Sequence, residues 1–264
     1  MSVEFFDTHA HLGDAQFSAD RAEVIDRARA AGVARIVEIA DSPAEWDAAI
    51  ALSRARPFIR ASLGVHPYHA DQFQEELIGV LSRKVLLPEV VSVGEIGLDY
   101  VKAQTPPPLQ REVFIRLLSA SISWDKPAVV HCRGAYDDLI PIIKEITPAP
   151  RSAGGYWGVI HCFSGTPGQA VELASLGWAL GADGPITYPK NDPLREAFRA
   201  AGAACAVLET DCPYLPPQSW RGKRNEPGKL PEIGARLAQV YGIETEELAR
   251  VTTENALQLF RLQA

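Results

Sequence analysis

Four histidines and two carboxylates stand in this chain at spacings that could assemble a metal centre. Asp7-Thr8-His9-Ala10-His11 carries a His-x-His pair; alternate side chains of an extended segment point the same way, so both imidazoles would enter one pocket. Glu95, His131, His161 and Asp211 each close or extend a short apolar run. A single histidine is more often a satisfied structural residue than a ligand. Here four of the six histidines share run ends with two acidic residues, and coincidence explains that poorly. Imidazole mixed with carboxylate suits Zn, Mn, Fe or Mg. Thiolate ligation would need sulfur to point inward, but Cys132, Cys162 and Cys212 each directly follow a candidate ligand. Continued extended geometry turns them away from the pocket, and they read as small buried residues.

The elements that must carry these groups are legible as repeated βα units. Strands are expected at Val3 to Asp7, Arg35 to Ala40, Ile59 to Val65, Val90 to Glu95, Ala128 to His131, Tyr156 to His161, Trp178 to Ala182 and Ala206 to Asp211. All are short and mostly apolar, as in parallel strands covered on both faces. Helical periodicity follows at about 20–31, 43–55, 71–86, 109–124, 135–146, 167–175, 192–201 and 229–241, with a further helix at 245–260. Ser42 before Pro43 reads as an N-cap with proline at N1, and Gly32 and Gly177 as helix stops. No glycine-rich phosphate loop follows the first strand, which disfavours an open doubly wound sheet. The expected fold is therefore a single (β/α)8 TIM barrel with an extra C-terminal helix, one domain over residues 1–264. The six candidates then sit at the C-terminal ends of strands, where barrel active sites lie.

Composition narrows the function classes. At 264 residues and 47% apolar, the chain can bury the core of one complete barrel. A net charge of -7 and a pI near 5.4 argue against coating duplex DNA through its phosphates, so any nucleic-acid contact must be local. The four cysteines show no CxxC spacing or disulfide framework, and with no leader-like segment before His9 the expected setting is cytoplasmic. No apolar run suits a membrane span, and no obligate protein partner is evident.

Six motifs carry a family resemblance: Asp7-Thr8-His9-Ala10-His11-Leu12, Gly64-Val65-His66-Pro67, Gly94-Glu95-Ile96-Gly97-Leu98-Asp99-Tyr100, His131-Cys132-Arg133, His161-Cys162-Phe163-Ser164-Gly165 and Glu209-Thr210-Asp211-Cys212-Pro213-Tyr214. Arg221-Gly222-Lys223-Arg224-Asn225-Glu226-Pro227 and Thr253-Glu254-Asn255-Ala256 extend it over nearly the whole chain. On these residues the sequence resembles the TatD-family metal-dependent deoxyribonucleases of the amidohydrolase superfamily. The resemblance implies two divalent cations, Mg, Mn or Zn, with His9, His11, Glu95 and Asp211 around one and Glu95, His131 and His161 around the other. Glu95 would bridge them, and Asp211 is the candidate general base. The implied reaction is phosphodiester hydrolysis near an end of single-stranded DNA or RNA, by a water that the cations activate.

Several further residues are candidate substrate contacts. Arg133, two residues past His131, could face the pocket and hold a phosphate, or form an exposed ion pair. Phe163, Tyr100 and Tyr214 could stack bases or simply pack; Ser164 could donate to phosphate. The cationic run from Arg221 to Arg224 could steer a strand or be a solvated loop. His66 is implied as a substrate contact or proton-transfer residue, with a structural role before Pro67 as the alternative. Gly134 after Arg133, and Val101-Lys102 after Tyr100, depart from the family's usual pattern; these bear on substrate preference, not on the ligand set. The same ligands would also serve a deacylase, amidase or lactonase, and a metal-binding protein without turnover is a third class.

Overall fold

The computed structural model describes residues 4–147, 149–151 and 155–263. Eight strands, β1 (Phe5–Ala10), β2 (Val33–Ala40), β3 (Ile59–Leu63), β4 (Val90–Asp99), β5 (Ala128–Arg133), β6 (Gly158–Ile160), β7 (Trp178–Ala182) and β8 (Ala206–Leu208), form one sheet in chain order. Every neighbouring pair is parallel. Around them run α1 (Arg21–Ala30), α2 (Trp46–Ala55), α3 (Glu76–Lys84), α4 (Pro107–Ser123), α5 (Tyr136–Ile146), α6 (Pro167–Ser175), α7 (Asp192–Ala201), α8 (Leu230–Tyr241) and α9 (Thr245–Phe260). This is a TIM barrel. Its ring closes through the chain that carries candidate ligands: Asp211 N–H donates to the His9 carbonyl at 2.9 Å and His11 N–H to the Cys212 carbonyl at 2.8 Å. Closure therefore sets the His-x-His pair against Asp211.

Strand burial explains the apolar runs, since β4 is buried at all ten positions, as parallel strands with both faces covered must be. Helix starts are locally encoded. In α6, Thr166 and Gln169 form a capping box with Pro167 at the first turn. In α5, Asp137 and Asp138 occupy the first turn and Lys144 the last, matching the helix dipole. The extra helix α9 lies against β1 and β8. Phe260 packs on Phe6 with centroids 5.8 Å apart, and Asn255 donates to the Ala203 and Ala206 carbonyls at 2.9 and 2.8 Å.

Several boundaries depart from expectation. Val3 lies outside the described residues, and β1 runs on past Asp7 to Ala10. Ser42 does not cap α2: residues 42–45 form a turn in which Glu45 N–H meets the Ser42 carbonyl at 3.0 Å, and helical bonding starts from Glu45. The helix expected at 71–86 divides into a 3₁₀ helix, Pro67–Gln72, and α3, with Phe73 extended between them. β6 and β8 stop before His161 and Asp211, because buried carboxylates replace the ladder. Glu209 accepts from Cys162 N–H and Asp7 from Thr210 N–H, and Cys162 and Asp211 then take φ values of 45° and 54°. Gly32 and Gly177 do follow helices at positive φ. Among the described residues no helix is long and apolar enough to cross a membrane.

Candidate metal centre

A cavity of about 630 Å³ opens at the C-terminal mouth of the barrel, with His11, His66, Glu95, His131, His161 and Asp211 among its lining residues. The two oxygens of Glu95 face different groups. Oε2 lies 3.3 Å from His9 Nε2 and 4.0 Å from His11 Nε2. Oε1 lies 2.8 Å from His131 Nδ1, 3.4 Å from His161 Nε2 and 3.6 Å from His66 Nε2. Asp211 Oδ1 completes the first group at 3.7 Å from His9 Nε2 and 3.5 Å from His11 Nε2. His9 Nε2 and His11 Nε2 are 3.2 Å apart. Four donors at about 2.0–2.1 Å from a tetrahedral ion stand about 3.3 Å from one another, so this spacing fits a shared cation. The donor set is likewise that of a borderline or hard divalent ion.

β4 needs glycine to bring Glu95 this close to β5. Gly97 has φ 144°, and a Cβ there would run into the His131 backbone. Glu38 on β2 accepts from Leu12 and Gly13 N–H, both at 2.7 Å, and holds the turn after His11. Asp7 accepts from Thr210 Oγ1 at 2.6 Å and from Thr210 N–H at 3.0 Å, tying the end of β1 to the segment bearing Asp211.

The electrostatics follow from crowding these groups away from water. Burial alone would raise the pKa of Glu95, but the surrounding imidazoles, His161 foremost, and the hydrogen bond with His131 pull it well below the usual carboxylate range. Asp211 is also lowered: burial opposes this, and His11 and the other imidazoles overcome it. Burial works against protonated His11 too, yet Asp211 and Glu95 hold its pKa up at about 9. Burial instead drives His66 down to about 3. Glu95 and Asp211 thus stay ionised, while burial raises Glu38 and Asp41, on the same lining, to about 7 and about 6.

Two carboxylates behind the imidazoles fix ring orientation. Asp99 Oδ2 is 3.2 Å from His131 Nε2, and Glu209 Oε1 is 3.1 Å from His161 Nδ1. Such outer partners set tautomer and ligand basicity. His9, by contrast, has no hydrogen-bond partner for Nδ1 among the described residues and stacks on His161 with centroids 3.6 Å apart. Glu209→Ala is expected to weaken metal binding by about 10–100-fold, measured by competition with a chromophoric chelator. Unchanged affinity in a folded variant would show that the carboxylate does not position His161. Asp99 and Glu209 belong to quoted motifs, yet sequence reasoning gave them no role. Their period-2 spacing from Glu95 and Asp211 was the available signal.

Of the expected substrate contacts, Arg133 and Tyr214 line the cavity. Arg133 reaches Asp99 at 3.5 Å and the Tyr68 hydroxyl at 3.3 Å, while the Tyr214 hydroxyl donates to Asp14 at 2.7 Å. Phe163, Tyr100, Arg221 and Ser164 lie elsewhere. Phe163 is 1% exposed between Tyr136 and Phe198, so its ring is core and cannot stack a base. Tyr100 turns its hydroxyl onto Asp138 at 2.7 Å, held there with Arg111. Arg221 stacks over Tyr188 at 4.6 Å, away from the cavity lining. Ser164 is exposed and its N–H donates to Tyr136, again outside the lining. His66 also lines the cavity; β3 stops at Leu63, short of the expected Val65, and His66 stands at the start of the 3₁₀ helix. Tyr68 and Lys102 line the cavity without having been anticipated.

The cysteines stay out of the centre, though not all for the expected reason. Cys162 is not extended; its thiol is placed by a turn and lies beside Asp183. No sulfur joins the candidate ligand groups among the described residues. Burial pushes the Cys132 thiol up to about 12 and raises those of Cys162 and Cys212 well above the usual thiol range, which makes them poor nucleophiles.

An eight-stranded barrel with imidazoles and carboxylates gathered at its C-terminal mouth has the architecture of a metal-dependent hydrolase. The sequence profile of the TatD related DNases matches residues 6–261, and the chain belongs to that family. It is 35% identical over 257 residues to the uncharacterized metal-dependent hydrolase YabD of Bacillus subtilis, covering 97% of this chain and 99% of that one. It is 35% identical over 263 residues to the 3′-5′ ssDNA/RNA exonuclease TatD of Pantoea vagans, with coverage of 97% and 99%. The crystal structure of YjjV, a TatD homologue from Escherichia coli K12, superposes with a TM-score of 0.91 at 29% identity over 100% of both chains.

Proposed function

We propose that this protein removes nucleotides from the 3′ end of single-stranded DNA or RNA by hydrolysing phosphodiester bonds, with one cation held by His9, His11, Glu95 and Asp211 and a second by Glu95, His131 and His161. The observation that carries the reading is the division of Glu95, one oxygen toward each ligand group. The named activity of TatD-type relatives supports the substrate. Cations such as Mg, Mn or Zn in those positions would lower the pKa of the attacking water and neutralise charge developing on phosphate oxygens.

The chain's own groups supply the rest. Asp211, ionised and facing the cavity, accepts the proton of the attacking water and returns it to the leaving oxygen. Arg133 is anchored through Nη1 to Asp99 and Tyr68, leaving its other N–H groups for a phosphate. Lys102 and Arg21 add further positive side chains on the lining. Tyr68 and Tyr214, 41% and 48% exposed at the cavity, offer faces on which terminal bases stack. The concave cavity suits a strand end, and the net charge of -7 disfavours lengthwise coating of a duplex.

The test is digestion of oligonucleotides labelled at the 5′ end, single-stranded and duplex, DNA and RNA, with Mg, Mn or Zn or with chelator. A ladder shortening from the 3′ end of single strands, absent with chelator, is the expected result. No cleavage with any of these metals, alongside hydrolysis of a lactone, amide or acyl ester, would replace this reading with the deacylase one.

A further inference from the structure

Beside the segment that rims the metal cavity lies a second cavity of about 540 Å³, lined by Arg27, Trp220, Lys223, Arg224, Glu226 and Lys229. Four cations and one carboxylate face it, on a chain whose net charge is -7. Two of those cations are already neutralised. Arg27 pairs with Glu226 at 2.7 Å and with Asp20 at 3.4 Å, and Arg224 pairs with Asp20 at 2.7 Å, a network that ties α1 to the loop after β8. Lys223 and Lys229 are left over, since neither pairs with a carboxylate among the described residues. Glu232, in the first turn of α8, is taken by the Ser219 hydroxyl at 2.6 Å.

One ring holds both lysines. Lys223 Nζ stands 4.0 Å and Lys229 Nζ 3.7 Å from the centroid of Trp220, and the indole is itself fixed by Nε1–H, which donates to the Arg224 carbonyl at 3.0 Å. The attraction of each ammonium for the ring thus keeps two unpaired charges within about one Debye length of each other, about 8 Å at physiological salt. They repel, and an anion received between them removes that repulsion. Side chains already ordered on the indole also escape much of the entropy loss that free surface lysines carry on binding. The anion within reach is a phosphodiester, because only residues 13–21 stand between the two cavities. Gly13, Asp14 and Arg21 line the metal cavity, while the Gln16 carbonyl and Asp20 accept from Arg224 at 2.6 and 2.7 Å and the Phe17 ring lies 4.6 Å from the same guanidinium.

We propose that Lys223 and Lys229, positioned by Trp220, form a second binding site for single-stranded nucleic acid, gripping backbone phosphates upstream of the 3′ end that occupies the metal cavity. The link to that end rests on the phosphodiesterase reading; the strand-binding site does not. Such a site reads charge and not sequence. Affinity therefore rises with strand length once a strand is long enough to cross residues 13–21. It also places positive field where a strand passes on an otherwise acidic chain, which suits a local contact and not coating. The cationic loop divides its labour: Arg221 rests on Tyr188, Arg224 is spent on Asp20, and Lys223 joins Lys229 in facing the strand.

Fluorescence anisotropy of a 5′-labelled single strand of about 12 nucleotides, in chelator so that nothing is cleaved, tests the site directly. Lys223→Ala combined with Lys229→Ala should bind about 10–30-fold more weakly at about 0.1 M salt, and the slope of log K against log salt should shrink by about 1.4, at about 0.7 per lost phosphate contact. Arginine at both positions should preserve affinity and slope. Lys84→Ala combined with Lys144→Ala removes the same charge from the last turns of α3 and α5 and should change neither. In cleavage by the metal-loaded enzyme, the double alanine variant at 223 and 229 should raise KM for the long strand far more than it lowers kcat, and the advantage of the long strand over a dinucleotide should vanish. Wild-type affinity and slope in that variant overturn the proposal, as do an equal loss in the Lys84 and Lys144 variant and a wild type that binds no strand. A wild type that binds through the two lysines but cleaves no oligonucleotide keeps the site and removes the phosphodiesterase reading. Cleavage from the 3′ end with the same KM in both proteins keeps that reading and removes the site.

Discussion

Asp211→Asn is expected to lower kcat for oligonucleotide cleavage by about 10²–10⁴-fold with the fold intact. The substitution removes the proton acceptor while keeping size and one carbonyl oxygen. It is also neutral for the backbone, since residue 211 has φ 54°, a region that Asn tolerates as well as Asp. The closing hydrogen bond from residue 211 N–H to the His9 carbonyl is untouched. Circular dichroism and the thermal midpoint should match the wild type, and elemental analysis should still find metal on His9 and His11. A variant within tenfold of wild-type kcat would leave Asp211 as a ligand with no part in proton transfer.

Glu95→Ala is expected to do more. Glu95 faces His9 and His11 with one oxygen and His66, His131 and His161 with the other, so its loss opens both candidate sites at once. The metal complement should fall on both sides and turnover should drop below detection. That exceeds the roughly 10–100-fold cost of losing an outer partner such as Glu209. Removing one member of a buried charge network costs about 3–5 kcal/mol. Deprotonation of the stranded imidazoles relieves part of that. At about 2–4 °C per kcal/mol for a chain near this size, the midpoint should fall by several degrees or more. Full retention of metal by Glu95→Ala would show that Glu95 bridges nothing.

The two variants draw on different layers of information. The barrel strands that bring in Glu95 and Asp211 were legible from apolar runs ending in a ligand-type residue, because strand period and helix period are local patterns, although β4 runs on past Glu95 to Asp99 and β8 stops at Leu208, before Asp211. The partners that give them their state were not. Asp99 reaches His131 across 32 positions of chain and Glu209 reaches His161 across 48, and such pairs exist only once neighbouring strands are in register.

Misplaced residues show the same divide. Phe163 adjoins a candidate ligand in sequence, but the positive φ of Cys162 turns the chain and sends its ring into the core. Tyr100 follows β4, yet its hydroxyl finds Asp138 on α5. Arg221 is in the loop after β8, where a cation could steer a strand, but it settles on Tyr188. In each case the residue type promised a contact, and a neighbour distant in sequence claimed the side chain.

The sequence by itself determined the (β/α)8 order, the end of the barrel that bears chemistry, and the imidazole–carboxylate character of the centre. Periodicity and motif spacing are written along the chain. Only the tertiary structure decided that the two oxygens of Glu95 face two groups, that Asp99 and Glu209 orient His131 and His161, and that His66 caps a 3₁₀ helix through Nδ1. Those depend on ring closure between β1 and the segment after β8, and on caps and turns that set which atom of each side chain points inward.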